Sequence, residues 1–192
     1  MSFSNDIKNE LLRLEYDDES ERVSLLAGLV RMDGTIFIGN QRRISLQLTS
    51  ENAAVSRLAF SWLKDLYHVE ATVTIQRMNR LKKNILYVVN VPSQTRMSTL
   101  LNSLGMVDRD GLLFRSEISE ELTGSDKLRR AYLRGVFLGS GSMTDPQRSY
   151  HLEIVTQSEE YAQNLIALIE QYDIRSGQGA ITKARSMSGG NQ

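Results

Sequence analysis

Two nine-residue segments constrain the fold more than any other feature: Leu26-Ala27-Gly28-Leu29-Val30-Arg31-Met32-Asp33-Gly34 and Leu133-Arg134-Gly135-Val136-Phe137-Leu138-Gly139-Ser140-Gly141 share one small-residue pattern, 107 residues apart (Gly28 to Gly135). Glycine inside a helix costs up to about 1 kcal/mol relative to alanine. Close approach offsets that cost, because two helices without side chains at these positions can pack nearer than the usual separation of about 8–10 Å. The helices carrying Ala27, Gly28, Gly135 and Gly139 are therefore expected to pair across a pseudo-two-fold axis. The strands downstream of the two segments repeat as well: Leu46-Gln47-Leu48-Thr49-Ser50 resembles Leu152-Glu153-Ile154-Val155-Thr156, and each precedes an amphipathic helix.

The periodicity predicts a helix opening at Ile7, Leu11 and Leu14, and a second over roughly 20–33. Arg43–Thr49 alternates as a half-buried strand, with Ile44, Leu46 and Leu48 on one face and Ser45, Gln47 and Thr49 on the other. Val55, Leu58, Ala59, Trp62, Leu63 and Leu66 form one helical stripe, with Ser50 expected as its cap. Val73 and Ile75 alternate with Thr72, Thr74 and Gln76. A basic turn comes next, then an apolar strand over Ile85–Val91 and a short helix from Thr95 to Leu104 that stops at Gly105. In the second copy Ala162, Leu165, Ile166, Ile169 and Tyr172 mark the long helix, with Thr156 and Glu159 expected as a capping box. The 192 residues suffice for one medium domain or two small ones.

With no Cys, the chain has no disulfide scaffold, thiolate zinc site or cysteine nucleophile. The charged N-terminus and the lack of an apolar run of about 20 residues point away from export and the membrane, and toward the cytoplasm. Formal charge is balanced, 23 Lys+Arg against 23 Asp+Glu. The balance hides a basic sector: residues 71–100 hold Arg77, Arg80, Lys82, Lys83 and Arg96 and no acid.

The first repeated segment resembles the LAGLIDADG motif of homing endonucleases, in which two such helices pair and each delivers an acid to a metal over the scissile phosphate. A longer resemblance, to the WhiA family of bacterial regulators, runs from residue 1 to about 172 through MSFSNDIKNELLR, LLAGLVRMDGTI, LTSENAAVSRLA, NRLKKN, RRAYLRGVFLGSGSMTDPQRSYHLEIVT and SEEYAQNL. It implies an α/β (α+β type) LAGLIDADG-like pseudo-dimer of two αββαββα repeats, the second incomplete. The expected divisions are a first repeat over 1–105, a partial second over 106–175 and a Gly/Ser-rich tail over 176–192. The helix-turn-helix that the family joins to this domain is expected to be missing from these 192 residues. The resemblance also implies DNA binding, transcriptional regulation, cell division and, in spore-forming lineages, sporulation, with location at the nucleoid.

Hydrolysis of a phosphodiester with a metal needs oxygen ligands that hold a hard cation. The first motif keeps the acid Asp33, but the equivalent position of the second is Ser140, a poor ligand. Asp145 lies past the expected helix end, and His68 and His151 have no partner at metal-ligand spacing. The chain is therefore expected to be non-catalytic and to need neither metal nor cofactor.

Double-stranded DNA is the expected partner, with other regulatory proteins as further candidates and no membrane. Ser45, Gln47, Thr49, Thr72, Thr74 and Gln76 suit base edges, and Arg42, Arg43, Arg77, Arg80, Lys82 and Lys83 suit phosphates. Antiparallel sheets commonly have one polar solvated face, so two other classes stay open: an interaction scaffold without DNA affinity, and a residual metal-dependent endonuclease. The chain is expected to be a monomer with internal pseudo-symmetry. An incomplete second repeat leaves a sheet edge open. Limited proteolysis is therefore expected to cut residues 110–192 before 1–105; uniform resistance would contradict the incomplete second repeat.

Overall fold

The computed structural model describes residues 2–77, 85–108, 113–145 and 151–172. Helix α1 (Phe3–Leu11) is followed by α2 (Glu19–Asp33), whose Asp18 cap accepts from the Ser20 amide. Strand β1 (Gly34–Ile38) begins where α2 ends. After a short 3-10 turn at Asn40–Arg42 come β2 (Ile44–Ser50), α3 (Ala53–Tyr67), β3 (Thr72–Arg77), β4 (Ile85–Val91) and α4 (Met97–Ser103). The second copy holds α5 (Glu120–Thr123), α6 (Asp126–Ser140), β5 (Gly141–Met143), β6 (Leu152–Ile154) and α7 (Glu159–Glu170). The basic turn with Arg80, Lys82 and Lys83 and the Gly/Ser-rich tail lie outside the described residues.

Two local expectations shift. Strand β2 runs on through Ser50, which pairs with Tyr87, so Ser50 belongs to the sheet and Asn52 caps α3 instead, its Oδ1 accepting from the Ala54 and Val55 amides at 2.8 and 3.2 Å. Likewise Ser158, not Thr156, caps α7 and accepts from the Tyr161 amide at 3.2 Å. Thr156 Oγ1 accepts one turn earlier, from the Ser158 amide, which leaves Glu159 at the first helical position. In both cases a nearer hydroxyl or amide competes successfully for the same free helix N–H groups.

The first sheet has strand order β1-β2-β4-β3, antiparallel throughout, and β5-β6 forms a separate two-stranded hairpin. Directly paired residues share a face of a sheet. Leu46 and Leu48 of β2 therefore lie with Val89 and Val91 of β4, and they meet Val55, Ala59 and Leu63 of α3 in the core. Among the described residues β6 pairs only with β5, and Leu152 is 49% exposed where its counterpart Leu46 is 1% exposed.

Helices α2 and α6 form the most extensive contact in the molecule and its centre. A Cβ on Gly28 would strike the Tyr132 carbonyl oxygen and lie 2.9 Å from the Val136 nitrogen. Reciprocally, a Cβ on Gly135 would strike the Leu25 carbonyl oxygen and lie 2.9 Å from the Leu29 nitrogen. Tyr132 and Val136 are the counterparts of Leu25 and Leu29 at the 107-residue offset of the repeat, so each glycine makes room for the other helix in the same way. Ala27 is fully buried. Gly139 meets side chains rather than backbone: its Cβ would stand 2.6 Å from the Met32 Cβ and 3.3 Å from Asp33 Oδ1.

Arg31, inside the first motif, ties the copies together a second time. Its guanidinium donates to the carbonyl of Gly105, at the end of the first repeat, and to that of Arg115, in the second, and lies 5.1 Å from the Tyr161 ring centroid on α7. The Tyr161 hydroxyl meets that of Tyr132 on α6 at 2.9 Å in the buried interior. Alanine favours a helix over glycine by about 1 kcal/mol, yet Gly28→Ala and Gly135→Ala are each expected to destabilise the chain by about 3 kcal/mol or more in urea melts, because backbone cannot yield as a side chain can. Gly39→Ala, where the new Cβ would find only ordinary contacts at 3.5 Å or more, is expected to be neutral within about 0.5 kcal/mol.

Candidate nucleic-acid interface

The strand register collects the polar candidates. Thr35 and Phe37 of β1 pair with Gln47 and Ser45 of β2; Gln47 and Thr49 pair with Asn90 and Val88 of β4; and these pair with Thr72 and Thr74 of β3. Ser45, Gln47, Thr49, Thr72, Thr74 and Gln76 thus lie on one face, opposite the one that packs on α3. A row of hydrogen bonds crosses three strands there: Gln47 Nε2 donates to Asn90 Oδ1 at 2.8 Å, and Asn90 Nδ2 donates to Thr74 Oγ1 at 3.3 Å. The face is not wholly polar, for Val88 is buried between Thr49 and Thr74, and Phe37 is 49% exposed at the edge.

The cations divide differently. Arg43 is exposed immediately before β2, beside this face, and Arg42 belongs to the 3-10 turn that leads into the strand. Arg77 pairs with Ile85 and alternates with Val73 and Ile75, which puts it on the opposite face from Thr72, Thr74 and Gln76. An open cleft of about 760 Å³ adjoins the polar row, lined by Ser45, Gln47, Thr72 and Asn90 on one side and by Phe37 and Pro92 among its apolar walls. His68, the left-handed C-cap of α3, also lines it.

The paired helix ends lie at the junction of the two copies. Asp33 is the last residue of α2 and Ser140 the last of α6; Asp33 Oδ2 and Ser140 Oγ are both buried without a hydrogen-bond partner among the described residues. Helix α1 closes over this place. Ser4 Oγ donates to the Met143 carbonyl at 3.0 Å and accepts from the Met143 amide at 2.8 Å, while Lys8 Nζ donates to the Gly139 carbonyl at 3.3 Å. Burial pushes the Asp33 carboxyl up to about 7, against the pull of the Lys8 ammonium. Burial likewise holds Lys8 below its ordinary value, opposed by Asp33 and Glu51.

This donor set does not fit a divalent cation. A hard cation needs several anionic or carbonyl oxygens turned toward it. Here the one carboxyl at the helix ends is pushed by burial toward its neutral form, Ser140 offers a hydroxyl at the equivalent position, and the Lys8 ammonium stands alongside, acted on by Asp33 and Glu51. Among the described residues no three of His, Cys, Asp and Glu are grouped as metal ligands would be.

Sequence reasoning passed over Asn90, the only polar side chain of β4 besides Tyr87 and the one that joins Gln47 to Thr74. Its signal was a break in an otherwise apolar run. Lys8 and Ser4 gave no signal, since their partners are 131 and 139 residues away.

A family profile described as the WhiA N-terminal LAGLIDADG-like domain matches residues 19–107, and one described as the WhiA LAGLIDADG-like domain matches residues 129–186. A relative from Desulforamulus reducens, named probable cell division protein WhiA, is 38% identical over 91% of this chain and 54% of its own. One of the same name from Clostridium tetani is 36% identical over 92% and 56%. The chain thus spans about half the length of these relatives. Among solved structures, the N-terminal LAGLIDADG domain of DUF199/WhiA superposes with a TM-score of 0.65 at 21% identity, covering 92% of this chain and 77% of that one. I-DmoI carrying the E117A substitution, in complex with its target DNA, superposes with a TM-score of 0.50 at 14% identity, covering 82% and 78%. The fold is the mixed α/β architecture of these LAGLIDADG domains.

The buried Asp33 carboxyl has a sharp consequence for stability. Its folded value, about 7, lies above the ordinary 3.8. Between those values the folded chain keeps a proton that the unfolded chain has released, so this group's contribution falls as pH rises and its cost is complete above pH 7. Asp33→Asn is expected to exceed the parent by about 1–3 kcal/mol at pH 8 in urea unfolding and to match it below about pH 4. The reiterated helices, the profiles matched in order along the chain and the named relatives lead to one statement of kinship: this chain belongs to the WhiA family.

Proposed function

We propose that this chain is a DNA-binding regulatory domain of the WhiA type, a degenerate endonuclease fold that contacts double-stranded DNA without cutting it. The observation that carries the reading is the hydrogen-bonded row Gln47–Asn90–Thr74 on the sheet face opposite α3, uncharged and cross-strand, next to a cleft. Uncharged amides and hydroxyls are what base edges require, while phosphates require cations at the flanks. Arg42 and Arg43 before β2 and Arg80, Lys82 and Lys83 of the basic turn are the phosphate contacts in this reading, while Arg77, on the opposite face of β3, is not one of them. The neighbouring fold of I-DmoI, bound to its target DNA, supports it. The names of the relatives support a role in cell division, which in this reading is exercised at the nucleoid through transcription and, in spore-forming lineages, through sporulation.

The non-catalytic half of the proposal rests on Asp33, Ser140 and Lys8. A carboxyl tending toward its neutral form and paired with a hydroxyl does not activate water through a metal. The chain acts as a monomer in which α2 and α6 replace a dimer interface.

Fluorescence anisotropy of a labelled duplex, titrated at several salt concentrations, tests the reading. Binding is expected to weaken linearly in log salt, and reversing Arg80, Lys82 and Lys83 to Glu is expected to flatten that slope by about 2.7 counterions, near 0.9 for each lost phosphate contact. No binding at low salt would make the domain a scaffold instead. Magnesium-dependent nicking that Asp33→Asn abolishes would restore the endonuclease.

A further inference from the structure

The polar row has a direction, and the direction selects a base. This inference rests on the DNA reading above. Asn90 Nδ2 faces two acceptors, Thr74 Oγ1 at 3.3 Å and the Val88 carbonyl oxygen at 3.5 Å. A carbonyl only accepts, so turning the Asn90 amide over would give up the Val88 contact and bring Oδ1 toward that oxygen. With Nδ2 on that side, Oδ1 faces β2 and accepts from Gln47 Nε2 at 2.8 Å. Three strands thereby fix the orientation of one glutamine. Gln47 uses one N–H on Asn90 and keeps Oε1 and its second N–H. Thr74, accepting from Asn90, keeps its hydroxyl proton to donate.

An acceptor next to a donor complements adenine alone among the four bases in the major groove: Oε1 takes the N6 hydrogen while the amide N–H reaches N7. Guanine offers two acceptors there, N7 and O6, so one of them would oppose Oε1; cytosine and thymine each satisfy one group only. We propose that Gln47 is a specificity-determining residue that reads an adenine in double-stranded DNA, and that Asn90 is the positioning residue that holds its amide in the reading orientation. The cleft beside Gln47 and Asn90, about 760 Å³ and walled by Phe37 and Pro92, provides room for the edge of a base pair. A bidentate contact of this kind favours the right base by roughly tenfold to a hundredfold.

The test is selection of bound sequences from a random duplex library with the 192-residue chain and its Gln47→Leu and Gln47→Glu variants, each first shown to keep the parental circular dichroism and urea midpoint. The parent is expected to enrich one adenine position that Gln47→Leu loses while the salt slope stays unchanged. Gln47→Glu, with acceptors only, is expected to shift that position toward cytosine. Replacing that adenine by 7-deazaadenine, which lacks the N7 acceptor, should weaken the parent about tenfold and leave Gln47→Leu unaffected. Asn90→Leu should blur the same position without moving it. Salt-sensitive binding with no adenine position that answers to residue 47 would overturn this inference and leave the DNA reading standing. Failure to bind any duplex at low salt would overturn both.

Discussion

Everything in this molecule depends on two glycines that leave space for each other. Gly28 and Gly135 bring the backbones of α2 and α6 so close that a methyl group at either would enter the carbonyl of the facing helix. The contact is isologous although it lies within one chain, since the residues that receive Gly28 correspond by repeat to those that receive Gly135. Such symmetry is what a two-fold dimer interface shows between two chains. Here both surfaces are on one polypeptide, and the two copies can differ in sequence: at the 107-residue offset Asp33 of the first corresponds to Ser140 of the second.

Close packing at the glycines also sets the environment of the helix ends. Because α2 and α6 run side by side to their termini, Asp33 and Ser140 emerge into a space with little water, and α1 covers it through Ser4 and Lys8. Desolvation therefore dominates the Asp33 carboxyl, and the nearby ammonium only partly compensates. Asp33 is thus held by burial and by Lys8 rather than by a set of oxygen donors. On the sheet, side chains on adjacent strands hold one another in register.

Much of this was legible in the chain itself. The small-residue repeat announced the helix pair, and strict alternation in β2 and β3 sorted polar from apolar faces before any register was known. Capping was read less well at Ser50 and Thr156, because several hydroxyl and amide side chains stand within three residues of each helix start and any of them can reach a free N–H. Arg77 was grouped with the other cations by proximity along the chain, whereas strand alternation turns it to the face of Val73 and Ile75. Asn90 was passed over because a single polar residue in an apolar strand has no meaning until its cross-strand neighbours are known.

What the sequence determined alone is periodic or repeated: which helices pair, which strand faces are polar, and kinship with a family. These come from spacing along the chain, for which the geometry of helix and strand is sufficient. The tertiary structure decided what depends on distant partners: the orientation of the Gln47 amide, set by Asn90 and, through it, Val88 and Thr74, and the burial of Asp33 beside Lys8. The reason is physical. Hydrogen-bond direction and desolvation are properties of a group's surroundings in space, and residues remote in sequence supply those surroundings.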